Sequence, residues 1–109
     1  NGADCSGFVY TVFANYGIKL LRVANDQMNG PSNALVNAGY KKDVTVSTSD
    51  MLPGDLIFYG SSNYASHVGI YIGNGQIVHA SNSQPYPQGG IKISAYNYQT
   101  PIKVVRYWS

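Results

Sequence analysis

Near the start of the chain, apolar residues recur every three or four positions, which is the spacing of one face of a helix. They are Phe8, Val9, Val12, Phe13 and Tyr16. Asp4 is a suitable N-cap before this run, and Gly17 is a typical residue to end a helix. The pattern predicts a helix over residues 5–16. Shorter helices are expected over 23–28 and 33–38, followed by loop with a little strand over 43–50.

From residue 53 onward, short apolar runs alternate with turn residues, which is typical of β-strands. Residues 53–55 form a Pro-Gly-Asp turn, residues 60–66 and 84–90 are expected to be loops, and Gly-Asn-Gly at 73–75 predicts a hairpin. The predicted strands cover 56–59, 67–72, 76–80, 91–96 and 102–108. Helices therefore come first and an antiparallel meander second, which predicts a single α+β domain.

Composition narrows the class of protein. With 109 residues the chain is long enough for one domain with a modest core. Apolar residues make up 44% and charged residues 11%, which excludes a charge-rich disordered segment. The net charge of +2 is too small for a nucleic-acid-binding surface, and no apolar run approaches the roughly 20 residues of a membrane span. Ten tyrosines among many small polar residues are typical of a secreted protein.

Cys5 is the single cysteine, so it cannot form an intrachain disulfide. It lies in the first turn of the predicted helix, where unpaired N–H groups and the helix dipole favour a thiolate. That position suits a nucleophile. The alternative is a small buried apolar residue near a helix end, and the local pattern leaves both open.

Both histidines of the chain fall on the predicted hairpin. A two-residue turn at 74–75 would pair positions whose numbers sum to 149 and would place the two rings on opposite faces. A three-residue loop gives a sum of 148 and makes His67 and His79 diagonal neighbours on one face. Glycines at 73 and 75 can supply the positive φ that such a loop needs. We therefore predict the three-residue loop, or a bulge with the same effect.

If the helix N-terminus docks on this sheet, Cys5 would be a nucleophile, His67 its general base, and His79 the residue that fixes the tautomer of His67. Helix-end N–H groups would help to hold an oxyanion. Separately, His67 could be a strand-end residue near solvent, and His79 a core-edge residue bonded to a backbone carbonyl. A metal site with the same three ligands is a further alternative, and Ser6 or Ser66 would be a weaker nucleophile.

Three segments resemble the NlpC/P60 family of cell-wall peptidases: DCSGFV at 4–9, LPGDLIFY at 52–59, and SHVGIYIGNGQIVHAS at 66–81. Their order and spacing match over nearly the whole chain. The resemblance implies a papain-like fold and hydrolysis of peptidoglycan stem peptides, typically between γ-D-glutamate and the following diamino acid. Residues 23–50 match the family only loosely and are expected to affect substrate preference.

By motif position, the resemblance assigns Cys5 as nucleophile, His67 as general base and His79 as third polar residue. Asp4 and Ser6 match pocket residues that in several members bind the free amino end of the stem peptide. A carboxylate beside a hydroxyl suits an ammonium group. Alternatively, Asp4 only caps the helix.

Family members usually carry a Tyr-containing segment upstream of the cysteine, and this chain starts too late to include it. We therefore expect a catalytic domain, residues 1–109, that lacks its extreme N-terminal segment and belongs to a longer protein. The expected protein is secreted and wall-associated, with no cofactor, metal, nucleic acid or membrane span. A non-catalytic wall-binding module and a papain-like amidase or acyltransferase are the alternative functions.

Overall fold

The computed structural model of the chain describes residues 5–61, 63–81 and 90–108. The helices are α1 (Cys5–Asn15), α2 (Ala24–Asn29) and α3 (Asn33–Asn37), with a 3₁₀ turn over Thr48–Asp50. The strands are β1 (Val44–Val46), β2 (Leu56–Ser61), β3 (Tyr64–Gly73), β4 (Gln76–Ser81), β5 (Gly90–Ala95) and β6 (Lys103–Arg106). No helix in these ranges is long and apolar enough to cross a membrane.

Local end signals determine where the helices stop and start. Gly17, with a φ of +77°, ends α1, and the N–H of Ile18 donates to the carbonyl of Phe13 at 2.9 Å, as in a Schellman motif. The hydroxyl of Ser32 accepts from the N–H of Leu35 at 3.3 Å and caps α3. These contacts confirm the three predicted helices. The predicted Asp4 cap lies outside the described residues.

The six strands form one antiparallel sheet with the order β1-β6-β2-β3-β4-β5. The predicted meander extends from β2 to β5, while β6 returns to the other side and pairs with β2. Val104 and Val105 in β6 point to opposite faces, and both are buried. β6 lies between β1 and β2, where Val105 belongs to the apolar cluster on one face of the sheet and Val104 to the cluster on the other face.

The predicted loop over residues 60–66 is wrong in its extent, because β2 continues to Ser61 and β3 already starts at Tyr64. Polar residues suggested a loop, but here they belong to the exposed end of a hairpin. Gly60 makes the close approach possible: its φ is +149°, and a Cβ there would lie 2.3 Å from the carbonyl oxygen of Tyr64. Of the second predicted loop, residues 84–89 lie outside the described residues and Gly90 begins β5.

The sheet is packed on both faces. On one face, α1 and α2 cover a core that includes Val9, Phe13, Met28, Phe58 and Val68. On the other face, a smaller cluster contains Ile57, Tyr59, Ile77 and Val104. The alternation of side chains along β2 separates these two clusters. This division matters because the two histidines lie on the second face and the cysteine belongs to a helix of the first.

Candidate active site

Cys5 is the first residue of α1 and is partly exposed. Its Sγ lies 3.9 Å from the carbonyl oxygen of Ser66, the residue that immediately precedes His67 in β3. The N-terminus of α1 therefore reaches the sheet near the histidine. In that first turn the thiol is close to the first backbone N–H groups of the helix and to the positive end of the helix dipole. Both stabilise a thiolate.

Two side chains of α2 hold this arrangement together. The buried amide of Gln27 donates from Nε2 to the carbonyls of Ser6, at 3.2 Å, and Leu21, at 2.9 Å. Oδ1 of Asn25 accepts from the N–H of Ala65 at 2.9 Å. One short helix thus contacts both the start of α1 and the start of β3. Sequence reasoning did not assign it this part in the site, because neither residue belongs to a recognisable motif.

The β3–β4 hairpin has the register that brings the histidines together. Ile70 lies opposite Val78, and a register shift between Tyr71 and Gly73 then places Gly73 opposite Gln76. The turn is therefore the two-residue one, and a bulge restores the sum of 148. The prediction is confirmed in its bulge form and not as a three-residue loop.

His67 and His79 consequently share one face of the sheet. Nε2 of His67 lies 2.7 Å from Nδ1 of His79, and the two ring centroids are 4.9 Å apart. His67 also pairs with Tyr59 across β2 and β3, so both rings are on the face opposite to α1. His79 is 2% exposed. Gly69 lets Ile77 pack closely beside it, since a Cβ on Gly69 would lie 2.6 Å from Cδ1 of Ile77.

The second nitrogen of His79 is also engaged, because its Nε2 lies 2.9 Å from Oγ of Ser94 in β5. The histidine pair is therefore part of a chain of three side chains, and the expectation that His79 bonds to a backbone carbonyl is wrong. Both nitrogens of His79 face protein groups, which leaves no lone pair for a metal ion. Among the described residues, no group of three His, Cys, Asp or Glu side chains is arranged to hold one.

Two tyrosines form an aromatic wall beside the pair. The ring of Tyr98, in the turn after β5, lies 5.4 Å from that of His79 and 6.5 Å from that of His67, between centroids. Tyr59 is fully buried, 6.0 Å from His67 and 5.3 Å from Tyr98. Tyr98 could not be assigned to the site from the sequence, because its position depends on how the β5–β6 connection folds back over the sheet.

Burial and charge keep both rings neutral. Burial lowers the pKa of His67 to about 4, and positive charge at His79 and Lys92 adds to this effect. The pKa of His79 is lowered by burial and then by Lys92, which pairs with it across β4 and β5. Burial, and then negative charge at Cys5, raise the pKa of Tyr98. At neutral pH the His67 ring is therefore unprotonated.

Of the two predicted pocket residues, Asp4 lies outside the described residues. Ser6 is 7% exposed, and its hydroxyl accepts a hydrogen bond from Nη1 of Arg22 at 3.0 Å. This bond connects the first turn of α1 to the segment that leads into α2. The hydroxyl of Ser6 is thus oriented towards a guanidinium within the protein.

The layer of helices on an antiparallel sheet, with a cysteine at the N-terminus of α1, is that of the papain-like fold. The sequence profile of the NlpC/P60 family matches residues 1–105, and the chain belongs to this family. Among named relatives, the probable endopeptidase p60 of Listeria innocua is 40% identical over 80 residues, which cover 73% of this chain and 15% of the relative. The Escherichia coli protein named murein DD-endopeptidase MepS/murein LD-carboxypeptidase is 37% identical over 97 residues. These residues cover 88% of this chain and 43% of the relative.

Among solved structures, the peptidoglycan hydrolase RipB of Mycobacterium tuberculosis superposes with a TM-score of 0.70 and 32% identity. The superposition covers 94% of this chain and 43% of that one. The chain spans less than half the length of each of these three proteins. The fold and the family that the sequence motifs predicted are therefore confirmed.

Proposed function

We propose that this chain is the catalytic domain of a cysteine endopeptidase that hydrolyses peptidoglycan stem peptides. The observation that carries the proposal is the contact between Cys5 and Ser66, next to a His67 ring that is neutral and bonded to His79. The names of the relatives, which include peptidoglycan endopeptidases, support the substrate class. We further propose that the protein is secreted and wall-associated.

In the proposed reaction, Nδ1 of His67 takes the proton of the Cys5 thiol, and the thiolate attacks the scissile carbonyl carbon. Backbone N–H groups at the start of α1 stabilise the oxyanion of the tetrahedral intermediate. The carbon–nitrogen bond then breaks, and His67 returns the proton to the leaving amine. Water, deprotonated by His67, hydrolyses the remaining thioester and releases the free thiol. His79 holds the His67 ring through both steps.

For the bond that is cut, we propose the link between γ-D-glutamate and the diamino acid. The name of the E. coli relative specifies other bonds, so a DD-crosslink and an LD-linked terminal residue are the matched competitors. Asp4 is proposed to bind the free amino end of the stem. The bond from Arg22 to Ser6 supports a role for Ser6 in shaping the pocket through the guanidinium, in place of direct contact with an ammonium.

The first test is the rate of iodoacetamide alkylation of Cys5 between pH 4 and 9. A Cys–His pair gives a reactive thiolate well below the unperturbed thiol pKa of about 8.5, and His67→Ala abolishes this shift. Thr45→Ala, on the opposite edge of the sheet, is the control and should leave the profile unchanged. An ordinary thiol titration in the wild type, unaffected by His67→Ala, would contradict the proposed pair.

The second test is digestion of defined muropeptides that contain each of the three bonds, followed by mass spectrometry. We expect cleavage after γ-D-glutamate, and none by Cys5→Ala. Cleavage only at another bond would correct the assignment of the bond. Retention on insoluble peptidoglycan without any product, despite a reactive thiolate, would favour the non-catalytic module.

A further inference from the structure

The contact between His79 and Ser94 is not part of any motif that we recognised in the sequence. Ser94 lies in β5 opposite Ile77, two residues from Lys92, the residue directly opposite His79. Its Oγ is 2.9 Å from Nε2 of His79, while Nδ1 of the same ring is 2.7 Å from Nε2 of His67. The hydroxyl is therefore at the far end of a continuous hydrogen-bonded chain that leads to His67, the residue after Ser66, whose carbonyl contacts Cys5.

A neutral histidine has one N–H donor and one acceptor nitrogen, so this chain has only two self-consistent proton arrangements. If Ser94 donates to His79, then Nδ1 of His79 carries the proton and donates to His67. The proton of His67 is then on Nδ1, and that ring cannot accept a proton from Cys5. If Ser94 accepts from His79, every donor is reversed, and Nδ1 of His67 presents a lone pair.

We propose that Ser94 is a positioning residue that, as an acceptor, holds His79 in its Nε2–H tautomer and thereby keeps His67 ready to act as a base. The proposal rests on the function proposed above and extends its site by one residue on a third strand. Ser94 does not touch the reacting atoms and acts only through the two rings.

The surroundings of His79 favour a neutral ring. The charged or titratable groups that face it are His67 in β3, Lys92 in β5 and Tyr98 in the following turn. None of them offers an anion that would stabilise a doubly protonated ring. A neutral ring carries its proton on one of the two nitrogens, and the hydrogen bond at Nε2 determines which tautomer is the more stable.

The test is a long-range ¹H–¹⁵N spectrum of the labelled protein, which is simple because the chain has two histidines. In the wild type at pH 7 we expect both rings as Nε2–H tautomers. In Ser94→Ala we expect the His79 signals to move towards a mixture of tautomers, and in Ser94→Thr, which keeps the hydroxyl, to remain as in the wild type. Thr45→Ala, a hydroxyl on the other edge of the sheet, is the control.

The effect of Ser94 on function is measured by the rate of Cys5 alkylation and by the kinetics of peptide cleavage. Ser94→Ala should lower the alkylation rate at pH 6 and kcat by about tenfold or more with KM nearly unchanged, since a fraction of the molecules has the wrong tautomer. Ser94→Thr should restore both. A wild-type spectrum with a proton on Nδ1 of His79, or spectra and rates that Ser94→Ala leaves unchanged, would overturn the proposal. A tautomer shift in a protein that cleaves no peptide would leave Ser94 as a positioning residue and refute only the proposed activity.

Discussion

At the residue scale, Tyr98 contributes to the site mainly through its ring. The ring is edge-on to His67 and tilted against His79, and the residue is 43% exposed. Removing it opens both imidazoles to water, which reduces the burial that lowers their pKa values. The same effect is not expected from removal of the hydroxyl alone.

We therefore predict that Tyr98→Ala raises the pKa of His67 towards 6.5, while Tyr98→Phe leaves it nearly unchanged. The acid limb of the alkylation profile would move to higher pH in the Ala variant only. Tyr16→Ala, which removes a ring that is 80% exposed, is the control. Equal shifts for the Phe and Ala variants would show that the hydroxyl, and not the ring, is responsible.

Lys92 is a second residue whose effect can be separated from its packing. Its charge lowers the pKa of both histidines, and it pairs directly with His79. We predict that Lys92→Gln moves the acid limb of the Cys5 alkylation profile to higher pH by less than about one unit, because the lysine is exposed and water screens its charge. Lys92→Arg should retain the wild-type profile. The difference between the wild type and Lys92→Gln should become smaller when the profile is measured in 1 M salt. A difference that does not depend on salt would contradict an electrostatic origin.

At the scale of elements, the Pro-Gly-Asp turn before β2 is fastened by the carboxylate of Asp55. This residue is fully buried, and Arg106 in β6 donates to both of its oxygens at 2.8 Å. The indole of Trp108 donates to Oδ1 at 3.0 Å, and the N–H of Leu52 to Oδ2 at 2.9 Å. The carboxylate thus connects the turn to the strand that returns from the far end of the chain.

We predict that Arg106→Leu lowers the free energy of unfolding by about 3–5 kcal/mol, because it leaves a buried carboxylate without its main partner. Lys103→Leu, in the same strand, should change it by less than about 1 kcal/mol. Urea unfolding of both variants measures the difference. Similar losses for the two would show that β6 is held by its backbone pairing and core residues, with little contribution from the Asp55 ion pair.

Short-range signals explain which elements could be predicted. The Schellman glycine at 17 and the Ser32 cap act within a few residues, so the helix ends were visible in the sequence. The parity of the hairpin likewise depends on its turn, and it predicted that His67 and His79 would meet. By contrast, the places of β5 and β6 depend on long connections whose lengths fix no register. Ser94 and Tyr98 could not be assigned to the site for that reason.

For the whole molecule, the site depends on contacts from both sides of the sheet. Cys5 belongs to the helical layer, whereas the histidines lie on the opposite face. The first turn of α1 contacts β3 through Cys5 and the carbonyl of Ser66, the residue before His67. Gln27 and Asn25 of α2 hydrogen-bond to the start of α1 and to the start of β3. The motifs predicted which residues would form the site, but a pattern of residues cannot show how two layers meet at an edge.

Burial of a neutral histidine pair also makes the stability of the whole domain depend on pH. The folded-state pKa of His67 is about 4 and that of His79 is also lowered, whereas an unfolded histidine titrates near 6.5. Between these values the unfolded chain binds more protons than the folded one, so stability falls as pH decreases from about 6.5 towards 4. Above about 7 the histidines contribute little pH dependence, and the contribution of His67 levels off below about 4.

We predict that the wild type loses about 1–2 kcal/mol more than a His67→Gln/His79→Gln variant over this window. This loss is smaller than the free energy that corresponds to the whole pKa shift, because the His67 ring is partly exposed and water screens its charge. Urea unfolding at half-unit steps from pH 7.5 to 4 measures both slopes, and comparing the two proteins cancels the contribution of the carboxylates. Parallel curves would mean that both rings titrate near 6.5 in the folded protein, as they do in the unfolded chain. In such a protein most His67 rings would be protonated at pH 5. The rate of Cys5 alkylation would then fall off below about pH 6.5.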